Sequence, residues 1–240
     1  AYETKAELEA MREAAMAAGQ KPRYNGAYRE RNEPKRDDPN RVIRLKNPQD
    51  GTVVWDDKVK GRIEIANSEL DDLVIFRPDG YATYNFAVVV DDHLMGITHV
   101  VRGDEHLSNT PSQIQLYKAL GWECPVFAHL SMILGPDGQK LSKRHGATSV
   151  LEYRDQGYLP ETMRNYLALL GWSTKDSQQL FEPAELVEKF DLAGCQKNPA
   201  TFDPVKLNWM NGENIRKRTA AALLDEAWPF VEKAGLGGVA

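Results

Sequence analysis

Cysteine is scarce: Cys124 and Cys195 are the only two in 240 residues. Two thiols so far apart build neither a disulfide framework nor a C-x-x-C metal pair, and they fit a reducing, cytoplasmic setting. Long hydrophobic runs are also missing. No stretch reaches the roughly 20 apolar residues of a membrane span, and no signal-peptide pattern opens the chain, so no membrane partner is expected. Ala1 has no methionine before it, as expected of a processed or truncated terminus. Positive charge is not in excess. Thirty Lys and Arg stand against 35 Asp and Glu, for a net charge of −5. The chain as a whole is therefore no general nucleic-acid binder, and only a local basic face would hold RNA. There is no internal repeat and no low-complexity segment.

What is present reads as a globular protein, with 42% hydrophobic and 27% charged residues and length for more than one folding unit. Thr4 to Gly19 predicts a helix, with Thr4 and Glu7 at capping-box spacing and Gly19 as the stop. A polar, proline-broken, Lys/Arg-dense loop follows. Short strands are predicted at Val42–Leu45, Thr52–Trp55, Arg62–Ile65 and Leu73–Phe76, separated by Asn-Pro and Asp-Gly turns. This is a small α+β unit up to about residue 85. "NFAVVVDDHLMG" is a compact apolar run. "ITHVVRG", "DEHLSNTPSQIQLYKALGW" and "VFAHLSMIL" then read as strand, helix, strand, the signature of a parallel α/β sheet. From Ser149 on the pattern is helical, with Pro160 in a first turn and further helices at Pro183–Phe190, Pro204–Arg216 and Thr219–Lys233.

One stretch stands out against the acidic average. "GQKLSKRHGATS", Gly138 to Ser149, gathers two lysines and an arginine after a Gly-Pro-Asp-Gly turn. Three readings compete. It is a solvated basic turn; or a phosphate-binding P-loop, although "GPDGQKLS" does not fit G-x-x-x-x-G-K-[ST]; or the "KMSKS" loop of class I aminoacyl-tRNA synthetases, written here Lys140-Leu141-Ser142-Lys143-Arg144. The neighbours favour the third. "TYNFAVVVDDHLMGITHVVRGDEHLSNTPSQIQLYKALGW", "HLSMILGPDGQKLSKRHGATSV", "YRDQGYLPETMRNYLALLGWS" and "FDPVKLNWMNGENIRK" stand in the order of the bacterial glutamyl-tRNA synthetases, which the chain closely resembles over most of its length.

That resemblance implies a fold of three parts: a tRNA acceptor-binding insertion (1–85), the second half of a Rossmann-like nucleotide-binding fold (86–138), and the loop with a helical stem-contact module (139–240). It implies a glutamate–tRNA ligase that activates L-glutamate with ATP and Mg²⁺ and passes it to tRNA(Glu). Lys143 is assigned to the ATP phosphates, with Lys140 assisting, Ser142 fixing the loop, and Leu141 and His106 near ATP. Phosphoryl chemistry needs such positioned positive charge. Arg102 ends the strand "ITHVVRG", where ligands bind in open α/β sheets, and is assigned to the substrate's side-chain carboxylate. Tyr84 adds a hydroxyl to that pocket. Between Lys21 and Lys46 the basic residues, among them Lys21, Arg23, Arg29 and Arg44, fit an acceptor-stem backbone, with Tyr24 and Tyr28 stacking on bases. Interleaved acids make a solvated face nearly as good a reading there. His99, Asp104, Glu105 and His106 match no standard zinc spacing.

Two departures from the family stand out. The HIGH-type motif and the anticodon-binding region are not found in it, so by this resemblance the chain is expected to be an internal piece, inactive alone and less soluble than its parent, which is expected to be a monomer. The zinc positions of some members carry Ala1, Glu3, Tyr28 and Glu30, so no structural zinc is expected. The alternative is a non-catalytic acceptor-binding module, or a truncated paralogue acting on another tRNA.

Overall fold

Helix α1, Lys5–Ala17, begins where the spacing puts it. The Thr4 hydroxyl accepts from the Glu7 N–H and the Glu7 carboxylate accepts from the Thr4 N–H at 2.7 Å, closing a capping box. The computed structural model describes residues 1–31, 34–142 and 149–238. They divide into two compact units, Ala1–His129 and Leu130–Ala240.

In the first unit, β1 (Ile43–Arg44) pairs antiparallel with β4 (Val74–Phe76), and β2 (Thr52–Asp57) with β3 (Gly61–Ala66). The second hairpin runs further toward its turn than the sequence predicts. Asp57 is the reason: its Oδ1 accepts the N–H groups of Val59 and Lys60 and ties the turn into the ladder. The run "NFAVVVDDHLMG" lies in a helix, α2 (Tyr84–Leu94), despite three valines. Val89 packs on Leu116 and Tyr117 of α3 (Thr110–Leu120), and that burial overrides the weak helix propensity of β-branched residues. β5 (His99–Gly103) leads through a 3₁₀ segment, Asp104–Asn109, into α3, and β6 (Val126–Leu130) returns to pair with β5. α3 is buried on several faces, from Thr110 and Pro111 to Gln113, Ile114 and Tyr117. Ile114 meets Val53 and Phe127, so the β2–β3 hairpin and the strand–helix–strand unit share one core. A hydrogen bond from Gln115 to Asn67, at 2.6 Å, adds a polar tie.

The predicted single strand "VFAHLSMIL" divides in two. After β6 the Ser131 hydroxyl meets the carbonyls of Gln196 and Lys197, and the chain resumes as β7 (Ile133–Leu134), parallel to β8 (Ala200–Thr201). The second unit is otherwise helical: α4 (Val150–Asp155), α5 (Pro160–Leu169), α6 (Pro183–Lys189), α7 (Pro204–Arg216) and α8 (Ala220–Lys233). Ser149 and Glu152 form a second capping box, and prolines open α5, α6 and α7. α5 and α7 enclose Met163, Tyr166, Leu170, Phe202, Leu207 and Met210.

Candidate active site

Arg102 sits at the C-terminal end of β5, and its guanidinium is held from three sides. Nε–H donates to His129 Nε2 at 3.1 Å. The two N–H groups of Nη2 reach the Thr110 hydroxyl at 2.9 Å and the Gln113 amide oxygen at 2.8 Å. A guanidinium has five donors. Those on Nη1 have no protein partner among the described residues. The network continues on both sides: Gln113 donates to Asn85 at 2.9 Å, and His129 Nδ1 meets the Asp57 carboxylate with both side chains fully buried.

The charges of this cluster follow from its donors. Burial pushes the Asp57 carboxyl up. Hydrogen bonds from the His129 side chain and from the backbone N–H groups of Lys60, His129 and Val59 outweigh that and hold it below the usual carboxylate range. Burial pulls the His129 imidazole down, against the opposing pull of Asp57. Both folded-state values are depressed, so both groups contribute stability at neutral pH that is lost on acidification. For His129 the loss begins as pH falls through about 6.5, where the unfolded imidazole takes up a proton; for Asp57 it begins near 4. Urea midpoints at pH 7.5 and 5.5 are expected to differ more for the native protein than for His129→Gln. Equal pH slopes in the two proteins would contradict the buried neutral imidazole.

Tyr84 and His106, assigned with Arg102 from the sequence, lie in this same unit. Tyr84 is half exposed at the first turn of α2, and its ring stands 6.1 Å from the His106 ring. His106 lies in the 3₁₀ segment after β5, with Nδ1 at 3.4 Å from the Asn109 amide. Asp92 senses the same neighbourhood: burial raises its pKa and Arg102 opposes the rise. Asp57, Asn85, Thr110, Gln113 and His129 were not singled out from the sequence. The one available signal was a histidine inside the apolar strand "VFAHL", which reads equally as a satisfied core residue.

In the second unit, the loop that carries the basic motif starts from a fixed base. Gly138 closes its turn at φ +73°, a conformation costly for residues with a Cβ. Leu134 and Lys140 form an antiparallel bridge, and Leu141 N–H donates to the Ile133 carbonyl at 3.0 Å. Leu141 packs against the α5–α7 core, Lys140 is exposed, and Ser142 is half-buried. Lys143 and Arg144 lie outside the described residues.

The residues assigned to acceptor contact are partly spent on the protein itself. Arg29 pairs with buried Asp72 and donates to the Asn47 carbonyl at 2.7 Å. Arg44 donates to the Asp72 carbonyl at 2.9 Å and lies over the Tyr24 ring at 3.8 Å. Arg23 donates to the Ser68 carbonyl, and Lys21 is exposed. The Tyr24 hydroxyl donates to Glu3 at 2.6 Å and accepts from the Tyr28 N–H; burial, with help from Glu3, pushes it up to about 12. The Tyr28 ring meets Tyr2 edge-on and carries Arg31 on its face. Of the other zinc-position residues, the Ala1 nitrogen donates to the Val42 carbonyl and Glu30 pairs with Lys46.

Comparison with known proteins places the chain in a family. Residues 1–209 match the family of class I tRNA synthetases (E and Q), catalytic domain. Glutamate–tRNA ligases of Stenotrophomonas maltophilia and Xanthomonas campestris are 58% identical over 98% of the chain and 50% of their own length. The chain thus spans about half the length of the curated relatives it matches. Among solved structures, a glutamate tRNA ligase from Elizabethkingia meningosepticum, in complex with its amino acid, superposes with a TM-score of 0.85 at 34% identity, over 98% of this chain and 53% of that one. That from Elizabethkingia anophelis gives 0.83 over 98% and 54%. The chain belongs to the catalytic-domain family of class I tRNA synthetases for glutamate and glutamine.

Proposed function

We propose that the chain is the second half of the catalytic centre of a glutamate–tRNA ligase, with Arg102 as the anchor of the glutamate side-chain carboxylate. The observation that carries this is the Arg102 cluster: a guanidinium fixed through Nε and Nη2 at a strand's C-terminal end, with Nη1 open. Tyr84 adds a hydroxyl beside it, and His106 borders the ATP side. In the first step an oxygen of the glutamate α-carboxylate attacks the α-phosphorus of ATP. The bond to the bridging oxygen breaks and pyrophosphate leaves with its electrons. In the second step the terminal ribose hydroxyl of tRNA(Glu) attacks the activated carbonyl and AMP leaves. Lys140 and Lys143 supply positive charge where the phosphates gain negative charge, Leu141 and Ser142 fix the loop, and Mg²⁺ enters with ATP. Residues 1–85 serve acceptor binding, with Lys21 and Arg23 better placed for it than Arg29 and Arg44. Residues 86–138 serve the nucleotide-binding fold and 139–240 the stem contact. No zinc is assigned to Ala1, Glu3, Tyr28 and Glu30, none of which offers a thiolate or imidazole.

The test is glutamate-dependent exchange of pyrophosphate into ATP by the full-length protein, with tRNA present. Lys140→Ala is expected to lower the exchange rate about 10- to 100-fold, the worth of one charge-assisted contact. Unchanged exchange in both Lys140→Ala and Lys143→Ala would remove the loop from the ATP site. Salt-sensitive tRNA binding with no exchange at all would favour a non-catalytic module.

A further inference from the structure

A guanidinium recognises a carboxylate well only when its plane is fixed, and Arg102 is a long, rotatable side chain. Thr110 and Gln113 hold Nη2 from α3. His129 meets Nε from β6 at 3.1 Å. Arginine donates through every N–H and accepts through none. His129 Nε2 must therefore offer a lone pair, and the single ring proton of the neutral imidazole lies on Nδ1. Asp57 keeps it there. Its Oδ2 takes the Nδ1–H, while Oδ1 takes the backbone N–H groups of Val59, Lys60 and His129 at 3.1, 3.0 and 3.1 Å. Neither side chain has any exposure.

We propose, on the reading that Arg102 anchors glutamate, that Asp57 and His129 are positioning residues for it: Asp57 fixes the His129 tautomer, and that tautomer fixes the guanidinium. Asp57 belongs to the β2–β3 hairpin, in the segment assigned to acceptor binding. Amino-acid recognition on β5 thus depends on a carboxylate supplied by the insertion. The same hairpin sends Lys60 to Asp104 at 3.0 Å, a second tie to the segment that carries His106.

Asp57→Asn tests this sharply. The amide oxygen keeps the three backbone donors, and the amide nitrogen replaces Oδ2 opposite His129 Nδ1. That nitrogen donates, so Nδ1 must accept and the ring proton moves to Nε2. Nε2–H then faces Arg102 Nε–H, donor against donor, and turns instead to the Thr110 hydroxyl 3.1 Å away, the same oxygen that holds Arg102 Nη2. In the full-length protein with tRNA, KM for glutamate is expected to rise at least about tenfold, while KM for ATP stays within about twofold. The ¹⁵N spectrum of the His129 ring is expected to change from Nδ1-protonated to Nε2-protonated.

A second pair of variants covers a failure of Asp57→Asn to fold. Glutamine at 129 can place its amide oxygen near the Nε2 position. Asparagine can place its amide nitrogen near Nδ1 but nothing near Nε2. His129→Asn is expected to raise KM for glutamate several-fold more than His129→Gln, with ATP little affected. A moved ring proton with unchanged glutamate KM, equal effects of the two His129 variants, or a matching rise in KM for ATP would overturn the positioning role. A wild-type protein without glutamate-dependent exchange would overturn the functional reading itself, and is recognised because it needs no variant.

Discussion

Arg102→Ala is expected to lower kcat/KM for glutamate by about 30- to 3,000-fold in the full-length protein, with KM for ATP little changed. The range is that of removing one partner from a desolvated, hydrogen-bonded charge pair, about 2–5 kcal/mol, at about 1.4 kcal/mol per tenfold. The substitution strips partners from Thr110, Gln113 and His129 as well, so part of the loss would come from a loosened cluster. Arg102→Lys separates the two effects. Lysine keeps the charge but not the planar fork, and it cannot bond His129, Thr110 and Gln113 together in the same geometry. It is expected to recover less than a tenth of the lost activity. Full recovery with lysine would mean that Arg102 acts as a point charge and its fixed plane is irrelevant.

Leu207→Ala is expected to cost about 2–5 kcal/mol of unfolding free energy in the second unit, read from urea midpoints and slopes. Leu207 has no exposure and stands on α7 in the cluster with Met163, Tyr166, Leu170, Phe202 and Met210. Such a site collapses poorly around a cavity, since its neighbours come from three directions of the chain. The same cluster supports Ile133 and Leu141, the base of the basic loop. A fall in exchange rate with KM for glutamate unchanged is therefore expected at temperatures where the variant stays folded. A loss below about 1 kcal/mol would contradict the packing described.

The parts of the fold that the sequence revealed are those set by neighbours in the chain. Thr4 with Glu7 announces its helix through hydrogen bonds spanning three residues. Pro160, Pro183 and Pro204 mark first turns for the same local reason. The break between β6 and β7 was invisible, because it depends on the carbonyls of Gln196 and Lys197 far along the chain. The candidate site divides in the same way. Tyr84, Arg102 and His106 were legible through a family resemblance and fall in one unit. Asp57 and His129 were not, since no periodicity links residues 72 positions apart. Arg29 and Arg44 show what charge density alone does not reveal: it suggested an RNA face, while tertiary packing ties both guanidinium groups to Asp72.

Arg102 as carboxylate anchor is tested most directly by pyrophosphate exchange in the full-length protein with tRNA, titrated with glutamate and, separately, with glutamine. Saturable exchange is expected with glutamate and at least about a hundredfold lower kcat/KM with glutamine, because a fixed guanidinium left facing an uncharged amide loses its partner. Equal use of both amino acids, or no amino-acid dependence, would contradict Arg102 as the carboxylate anchor.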